Sequence, residues 1–150
     1  MIDDLDKKIL NELNKDARLS FRELAKSLGI SVSTVSHRIK KMEESGVIKD
    51  YIPLIDQKKV GYDFTAAIEI SIKKGRLEDV EKKLADSQNT VGVYDITGVY
   101  DALVIARFED RDHLNQFIKK IQKFKFVQKT YTSIVLNVIK EDITITFNRA

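Results

Sequence analysis

Residues 20–46 read SFRELAKSLGISVSTVSHRIKKMEESG, and they contain two helix starts separated by a sharp turn. Ser20 and Glu23 have the spacing of a capping box, in which each side chain binds the free backbone N–H of the other residue. Gly29 stands where a helix end favours a positive φ, which glycine adopts without a Cβ clash. Ser31 is placed to cap a further helix, which ends at Gly46. The segment therefore predicts two short helices joined by a tight turn.

A supporting helix is predicted upstream, over Asp4–Lys15. Its buried stripe would consist of Leu5, Ile9, Leu10 and Leu13. The helix after the turn would bury Val35, Ile39 and Met42. Three helices with a glycine-containing turn between the last two are typical of a helix-turn-helix, which binds DNA.

The helix after the turn has a polar face opposite its buried stripe. Hydroxyls near a helix N-terminus can bind phosphates or base edges, Arg38 could bind guanine, and Lys40 and Lys41 suit phosphates. The candidate DNA-binding residues are Arg18, Ser20, Arg22, Ser31, Ser33, Thr34, Ser36, His37, Arg38, Lys40 and Lys41. The alternative for this helix is an ordinary solvated face, and for Arg18 and Arg22 it is a surface salt bridge.

The chain changes character after residue 50. Tyr51–Ile55 is strand-like but contains the only proline, which favours an edge strand or a connector, and 57–61 is typical of a hinge. We predict a DNA-binding domain over 1–50, a connecting strand and hinge over 51–62, and a second domain over 63–150.

The second domain alternates strand and helix patterns. Strands are predicted around 68–72, at Val91–Thr97, Ala102–Phe108 and Tyr131–Ile139, and finally over Ile143–Phe147; helices are predicted near 77–84 and 114–124. The order β-α-β-β-α-β is that of an α+β, ferredoxin-like antiparallel sheet with both helices on one face. The other face, carrying residues such as Ala67, Val104 or Ile134 depending on register, would need a partner, and a second copy is the simplest one.

Composition excludes several classes of protein. The chain has 150 residues, 43% hydrophobic and 33% charged, as in a soluble globular protein. It has no cysteine and two histidines, so no metal site is expected. No apolar run reaches the ~20 residues that span a bilayer, and the acidic N-terminus is unlike a signal peptide, so the cytoplasm is the expected compartment. The net charge of +3 is too small to indicate nucleic-acid binding by itself.

The sequence contains no convincing catalytic group. Ser36 and His37 are adjacent on a helix and point in different directions, so they cannot act as nucleophile and base. No glycine-rich phosphate loop followed by lysine is present. We therefore expect that the protein is not an enzyme.

The segment Gly98-Val99-Tyr100-Asp101 joins two predicted strands. A carboxylate beside a tyrosine could bind an ammonium group, with hydroxyls from Thr130 and Thr132 nearby. From these residues alone a plain β-turn is the stronger interpretation, because glycine and aspartate are common in turns.

Four segments carry a resemblance to a known family. Residues 4–10 (DLDKKIL), 16–18 (DAR), 24–31 (LAKSLGIS) and 33–48 (STVSHRIKKMEESGVI) resemble the leucine-responsive and asparagine-operon regulators, the Lrp/AsnC family. The second half is similar, more loosely, to that family's domain for regulation of amino-acid metabolism (the RAM domain).

The resemblance implies a bacterial or archaeal transcription regulator, located at the nucleoid, that binds double-stranded DNA at pseudo-palindromic promoter sites. It implies dimers formed through the C-terminal sheets, tetramers or octamers built from them, no required cofactor, and an amino-acid effector bound between dimers. The effector site would include Gly98, Val99, Tyr100, Asp101, Thr130 and Thr132. Val99 replaces the acidic residue often found in that turn. The resemblance favours a ligand site over a plain turn.

Two other hypotheses remain at this point. One is a small-molecule-binding module whose N-terminal helices dock a protein rather than DNA. It predicts a metabolite-induced thermal shift without salt-dependent DNA binding. The other is a small enzyme, which would need convergent titratable groups in a deep pocket.

Overall fold

The computed structural model describes residues 2–147, which form two compact units. The first comprises residues 2–54 together with 140–147, and the second comprises residues 55–139. Residues 140–147, which were predicted to belong to the 63–150 domain, are thus part of the first unit, and residues 148–150 lie outside the described residues. No helix between residues 2 and 147 has the length and apolar character needed to cross a bilayer.

The first unit contains the three predicted helices. Helix α1 spans Asp4–Lys15, α2 spans Phe21–Leu28, and α3 spans Val32–Glu44. Ser20 and Glu23 form the predicted capping box at the start of α2, and Gly29 ends that helix with a φ of 67°. The start of α1 has a second capping box, between Asp3 and Asp6. Local backbone chemistry therefore accounts for where each helix begins.

One apolar core holds the three helices together. Each helix contributes residues at helical spacing. The predicted stripe of α3 is buried, whereas Leu5 and Leu10 of the predicted α1 stripe are only half-buried beside the core. The buried members are Ile9, Leu13, Leu24, Ala25, Val35, Ile39 and Met42. Burial of this stripe on α3 fixes which of its faces remains available to a partner.

The second unit begins with a short 3-10 helix, Lys58–Val60, at the predicted hinge. Strand β1 spans Phe64–Ile72, α4 Leu77–Ala85, β2 Thr90–Asp95, β3 Ala102–Phe108, α5 Arg111–Gln122 and β4 Val127–Ile134. The strands form one antiparallel sheet in the order β2-β3-β1-β4. The predicted ferredoxin-like α+β arrangement is confirmed.

Both helices of this unit cover one face of the sheet. Alternate residues of β1 and β3 point toward them, because successive strand side chains point to opposite faces. The buried core consists of Ala66, Ile68, Ile70, Ile72, Val80, Leu84, Ala102, Val104, Ala106, Phe108, Leu114, Phe117 and Ile121. We call the opposite side of the sheet the outer face.

The register corrects two of the residues expected on the outer face. Val104 pairs with Ile68 and is fully buried under the helices, and Ile134 pairs with Ala66 on that same side. Ala67 does lie on the outer face, opposite Ile105. A shift of one residue in register exchanges the two faces, and the sequence alone did not define the register.

The predicted bounds of two strands, β2 and β4, are wrong. β4 covers 127–134 rather than 131–139, and β2 ends at Asp95 rather than Thr97. The backbone N–H of Val135 still donates to the Thr65 carbonyl oxygen, at 2.9 Å. Beyond it β1 has almost no residues left to pair, because the chain before Phe64 turns through the 3-10 helix.

The tail over 141–147 and the segment 51–55 form no helix and pair with no strand among the described residues, so the strands predicted there are wrong. In the tail, side chains of α1 replace a strand partner. The Asn11 amide accepts from the Phe147 N–H at 3.0 Å and donates to the Phe147 carbonyl oxygen at 2.9 Å. Asn14 donates to the Ile145 carbonyl oxygen at 2.9 Å. These bonds explain why the tail belongs to the first unit.

Candidate DNA-binding helix and effector turn

Hydroxyl groups cluster at the N-terminus of α3. The Ser31 Oγ accepts from the Thr34 backbone N–H at 3.1 Å, and so caps the helix. It also lies 2.9 Å from the Ser33 Oγ and 2.7 Å from the Thr34 Oγ1. The helix dipole is positive at this end, so the cluster can accept an anionic oxygen.

One stripe of α3 is open to solvent. Ser33, His37, Lys40 and Lys41 are exposed, whereas Thr34 and Ser36 are half-buried beside them. Among residues 2–147, Lys40 makes only a long ion pair, with Glu44 at 3.8 Å, and both side chains are largely exposed. Such a pair contributes little and can be exchanged for a phosphate contact.

Arg38 has partners other than those expected of a base-reading residue. Its guanidinium binds the Asp3 carboxylate and lies 3.3 Å from the Asp6 carboxylate. The side chain is 27% exposed and Asp6 only 6%, so the group is turned toward α1. Hydrogen bonds from the Asp6 backbone and from Arg38 lower the pKa of Asp3, and the pKa of Arg38 is raised mainly by its bond to Asp3. Arg38 is therefore a structural link between α3 and α1.

The candidate DNA-binding residues around α2 differ in whether they already bind other groups of the protein. Arg18 is almost fully exposed and lies 3.2 Å from the Asp16 carboxylate, which is the surface salt bridge considered as its alternative. Ser20 is occupied in the capping box, where it lowers the pKa of Glu23. Arg22 is exposed and makes no ion pair with any carboxylate of residues 2–147. Of these three residues, Arg22 is the one that is free to bind phosphate.

The turn between β2 and β3 is held to the end of β1 by Asp101. The Asp101 carboxylate accepts from the Ile72 N–H at 2.7 Å, and its own N–H donates to the Ile70 carbonyl oxygen at 3.0 Å. Gly98 has a φ of 128°, a conformation that favours glycine, and Val99 is 89% exposed beside it. Asp101 thus stabilises the turn, and Val99 at the tip of the turn projects into solvent.

The predicted effector residues are divided between the two faces of the sheet. Thr130 and Thr132 pair with Ile70 and Ile68, so they lie on the helix side. Tyr100 instead lies near Tyr131, with ring centroids 6.4 Å apart. Tyr131 occupies the outer face, because it pairs with Glu69. The structure brings Tyr100 together with Tyr131 rather than with the two threonines.

Family models cover both units of the chain. Residues 2–49 match a winged helix-turn-helix DNA-binding model, and residues 65–145 match the Lrp/AsnC ligand-binding domain. The chain belongs to the Lrp/AsnC family.

Curated relatives agree with this assignment over nearly the full length. An uncharacterized HTH-type transcriptional regulator of Pyrococcus abyssi is 44% identical over 142 residues, 95% of this chain and 97% of the relative. The HTH-type transcriptional regulator FL11 of Pyrococcus furiosus is 39% identical, over 94% of this chain and 93% of its own length. The regulator Ptr1 of Methanocaldococcus jannaschii is 37% identical, over 94% and 96%.

Solved structures of transcription regulators have the same fold. E. coli AsnC superimposes with a TM-score of 0.89 at 32% identity, covering 97% of this chain and 99% of AsnC. A transcriptional regulator of Neisseria meningitidis in complex with L-Met gives a TM-score of 0.89 at 28% identity, covering 97% and 96%. This Lrp/AsnC member is accordingly a DNA-binding transcription regulator with a domain for a small-molecule effector.

Two features of this Lrp/AsnC protein escaped sequence reasoning. Tyr131 alternates with the threonines that were singled out, and a correct register for β4 would have placed it opposite them. The partners of Arg38 are more than 30 residues away in sequence. The available signal was the Asp3 to Asp6 spacing, which is that of a capping box that places two carboxylates at one helix start.

Proposed function

We propose that this protein regulates transcription by inserting α3 into the major groove of promoter DNA. The reading group would be Ser33, Ser36 and His37, with Lys40, Lys41 and Arg22 on phosphates. The observation that carries the proposal is the exposed stripe of α3, whose opposite face is buried in the helical core. A helix fixed in this way presents its polar groups at a defined angle, as recognition requires.

The proposal includes a dimer formed through the outer face of the sheet. Leu103 and Ile105 are half-buried there, and Tyr94 and Tyr131 are 53% and 55% exposed. A sheet face of this composition is stabilised by covering it, and a twofold contact with a second copy buries it on both subunits. Two recognition helices would then read pseudo-palindromic half-sites about 34–36 Å apart. Tetramers or octamers of this dimer would follow.

An amino acid or a related metabolite is the proposed effector, bound near the turn 98–101. The supporting features are the exposed Val99 tip and the paired rings of Tyr100 and Tyr131. An aromatic pair attracts an ammonium group, and an aliphatic tip suits an apolar side chain. We place the protein in the cytoplasm, at the nucleoid, with no catalytic role and no required cofactor.

The test is selection of bound fragments from a random DNA library with the full chain, with and without a mixture of amino acids. Anisotropy titrations on the selected fragment follow, with His37→Ala and Lys41→Gln. His37→Ala should remove a base contact and so reduce the preference for the selected fragment over random DNA by about 1–3 kcal/mol of binding free energy. Lys41→Gln should weaken both alike and lower the salt slope by about 0.9.

Lys58→Gln is the matched control for Lys41, because Lys58 is an exposed lysine of the 3-10 helix. Its affinity should equal that of the wild type. Recovery of no enriched sequence, or wild-type binding by both α3 variants, would contradict the proposed use of this helix.

A further inference from the structure

The second unit has a strongly basic end, where β1 ends and β4 begins. We define this basic end as Lys73, Lys74, Lys123, Lys125 and Lys129, which are all exposed. The Lys73 N–H donates to the Phe126 carbonyl oxygen at 2.9 Å, so the two turns that carry these lysines are joined. Lys129 lies at the same end of the sheet, on β4, where it pairs with Ser71 of β1.

Local charge balance at the basic end is far from neutral. Residues 119–129 contain five lysines and no acidic residue. None of the lysines that define the basic end, on either turn or on β4, is within ion-pair distance of a carboxylate among residues 2–147. Asp101 also reaches this end of the sheet, but its carboxylate is directed to the Ile72 N–H. The cationic charge is therefore left for a partner.

Aromatic rings give the basic end a defined shape. The Arg76 guanidinium lies 4.9 Å from the centre of the Phe126 ring, and the Lys125 ammonium lies 5.5 Å from it. The Lys83 ammonium lies 5.6 Å from the Phe124 ring centre. The contact with Phe126 holds the Lys125 side chain of the basic end in place, which reduces the entropy lost when it binds a partner, and Arg76 and Lys83 are held in the same way beside the basic end.

We propose that the basic end is a second DNA-binding surface, which contacts phosphates of duplex DNA outside the site read by α3. This rests on the proposed function, because it requires DNA held at α3. Lysine acts as a point charge and lacks the planar fork that arginine uses for bidentate recognition. A patch of lysines thus suits a repeated phosphate backbone, where contacts position DNA without reading it.

Duplex DNA fits the basic end better than an acidic peptide does. Phe124 and Phe126 are only half-buried, but cationic groups lie over their rings, so these two rings are less available to the apolar side chains of a peptide. The energy would come mainly from release of counterions, which makes binding steeply salt-dependent. The surface would extend the contact on flanking DNA without adding sequence preference.

The experiment uses the full-length protein, a short duplex carrying only the selected operator, and a longer duplex with random flanks. The double variant Lys123→Gln/Lys125→Gln is compared with the matched pair Lys58→Gln/Lys59→Gln. On the long duplex, loss of two phosphate contacts should reduce the slope of log K against log salt by about 2. On the short duplex all three proteins should bind equally, and sedimentation should give equal masses.

Three results would overturn this second surface. They are an unchanged salt slope on the long duplex, an equal loss in the Lys58/Lys59 pair, or a change in assembly mass that accompanies the loss. The last result would make the basic end a contact between proteins. Failure of the α3 proposal has a different signature, because His37→Ala and Lys41→Gln would then leave binding unchanged on the short duplex as well.

Discussion

The guanidinium of Arg38 lies 3.3 Å from the buried carboxylate of Asp6, so α3 is bound to the first turn of α1. The same guanidinium binds Asp3, the N-cap of α1. Asp6 receives a further hydrogen bond, from the Asp3 N–H at 3.0 Å. A residue of α3 thus contacts the capping box of α1, and its charge is satisfied within the protein.

Replacement of Arg38 should affect stability before it affects DNA recognition. Arg38→Met keeps much of the aliphatic stem but leaves the buried Asp6 carboxylate without its cation, which is costly. We expect a lower Tm for the N-terminal unit by circular dichroism, and a loss of DNA affinity that is restored by cooling. Lys41→Met is the control, which should lose affinity at an unchanged Tm. A fully folded Arg38→Met with selectively relaxed base preference would instead return Arg38 to the reading group.

The Asp3 carboxyl should make the N-terminal unit sensitive to acid. Its pKa is lowered in the folded protein, by the Asp6 backbone hydrogen bond and then by Arg38. A carboxyl whose pKa is lower in the folded than in the unfolded protein stabilises the fold at pH values above its unfolded pKa, about 3.9. This stabilisation is lost as the pH falls through the folded pKa. Asp3→Asn should therefore be less stable than the wild type at neutral pH, with the difference vanishing in acid. Urea melts across pH measure this, and a difference that persists below the folded pKa would contradict it.

Gly92 leaves room for the ring of Tyr94 on the outer face of the sheet. A Cβ at position 92 would lie 2.6 Å from the Tyr94 hydroxyl oxygen and 2.7 Å from ring carbons. Gly92→Ala should displace the ring and weaken dimerisation about tenfold or more, since tenfold in Kd is only about 1.4 kcal/mol. Sedimentation over a range of concentrations measures the effect.

Tyr94→Ala provides the matched test of the Gly92 prediction. It should weaken the dimer to a similar extent, and the double variant should be no weaker than Tyr94→Ala alone, because both changes act on one ring. Additive losses would show that the ring is not the means by which position 92 affects assembly.

Asn11 should hold the C-terminal tail against α1. Its amide makes two hydrogen bonds to the Phe147 backbone, each with a net contribution of about 0.5–1.5 kcal/mol. Asn11→Ala should lower the free energy needed to open the tail by about 1–3 kcal/mol. This would be seen as faster hydrogen exchange at the Phe147 amide, with little change in Tm. Lys8→Ala, at an exposed position of α1 whose side chain makes no hydrogen bond to the tail among the described residues, should leave the exchange rate unaltered. Unchanged protection in Asn11→Ala would mean that the tail is held by other contacts.

Tyr51 should ionise later than an ordinary tyrosine. Burial and a 2.9 Å hydrogen bond from its hydroxyl to the Glu43 carboxylate raise its pKa to about 12. Because the folded state favours the protonated form, Tyr51 contributes to the free energy of unfolding below about pH 10. This contribution is lost as the pH rises through about 12. The difference between phenolate absorbance titrations of the wild type and Tyr51→Phe isolates this group. A difference centred near 10 would refute the contact.

The helices were predictable because their signals are local. Ser20 and Glu23, or Ser31 at its helix start, satisfy backbone groups within four residues, and Gly29 supplies the positive φ that ends α2. The β-strand bounds were less predictable. Apolar alternation continues past Ile134 in the sequence, whereas the strand ends where its neighbour β1 runs out of residues to pair.

The amino-acid order alone was enough for the helix-turn-helix, the ferredoxin-like order of elements and the polar character of α3, since each depends on spacing within a few residues. Three-dimensional packing assigned Arg38 to Asp3 and Asp6, Tyr131 to Tyr100, and the tail to Asn11. These partners are 31 to 136 residues apart. Side-chain identity defines which bonds a group can make, but only the folded chain brings its partner within reach.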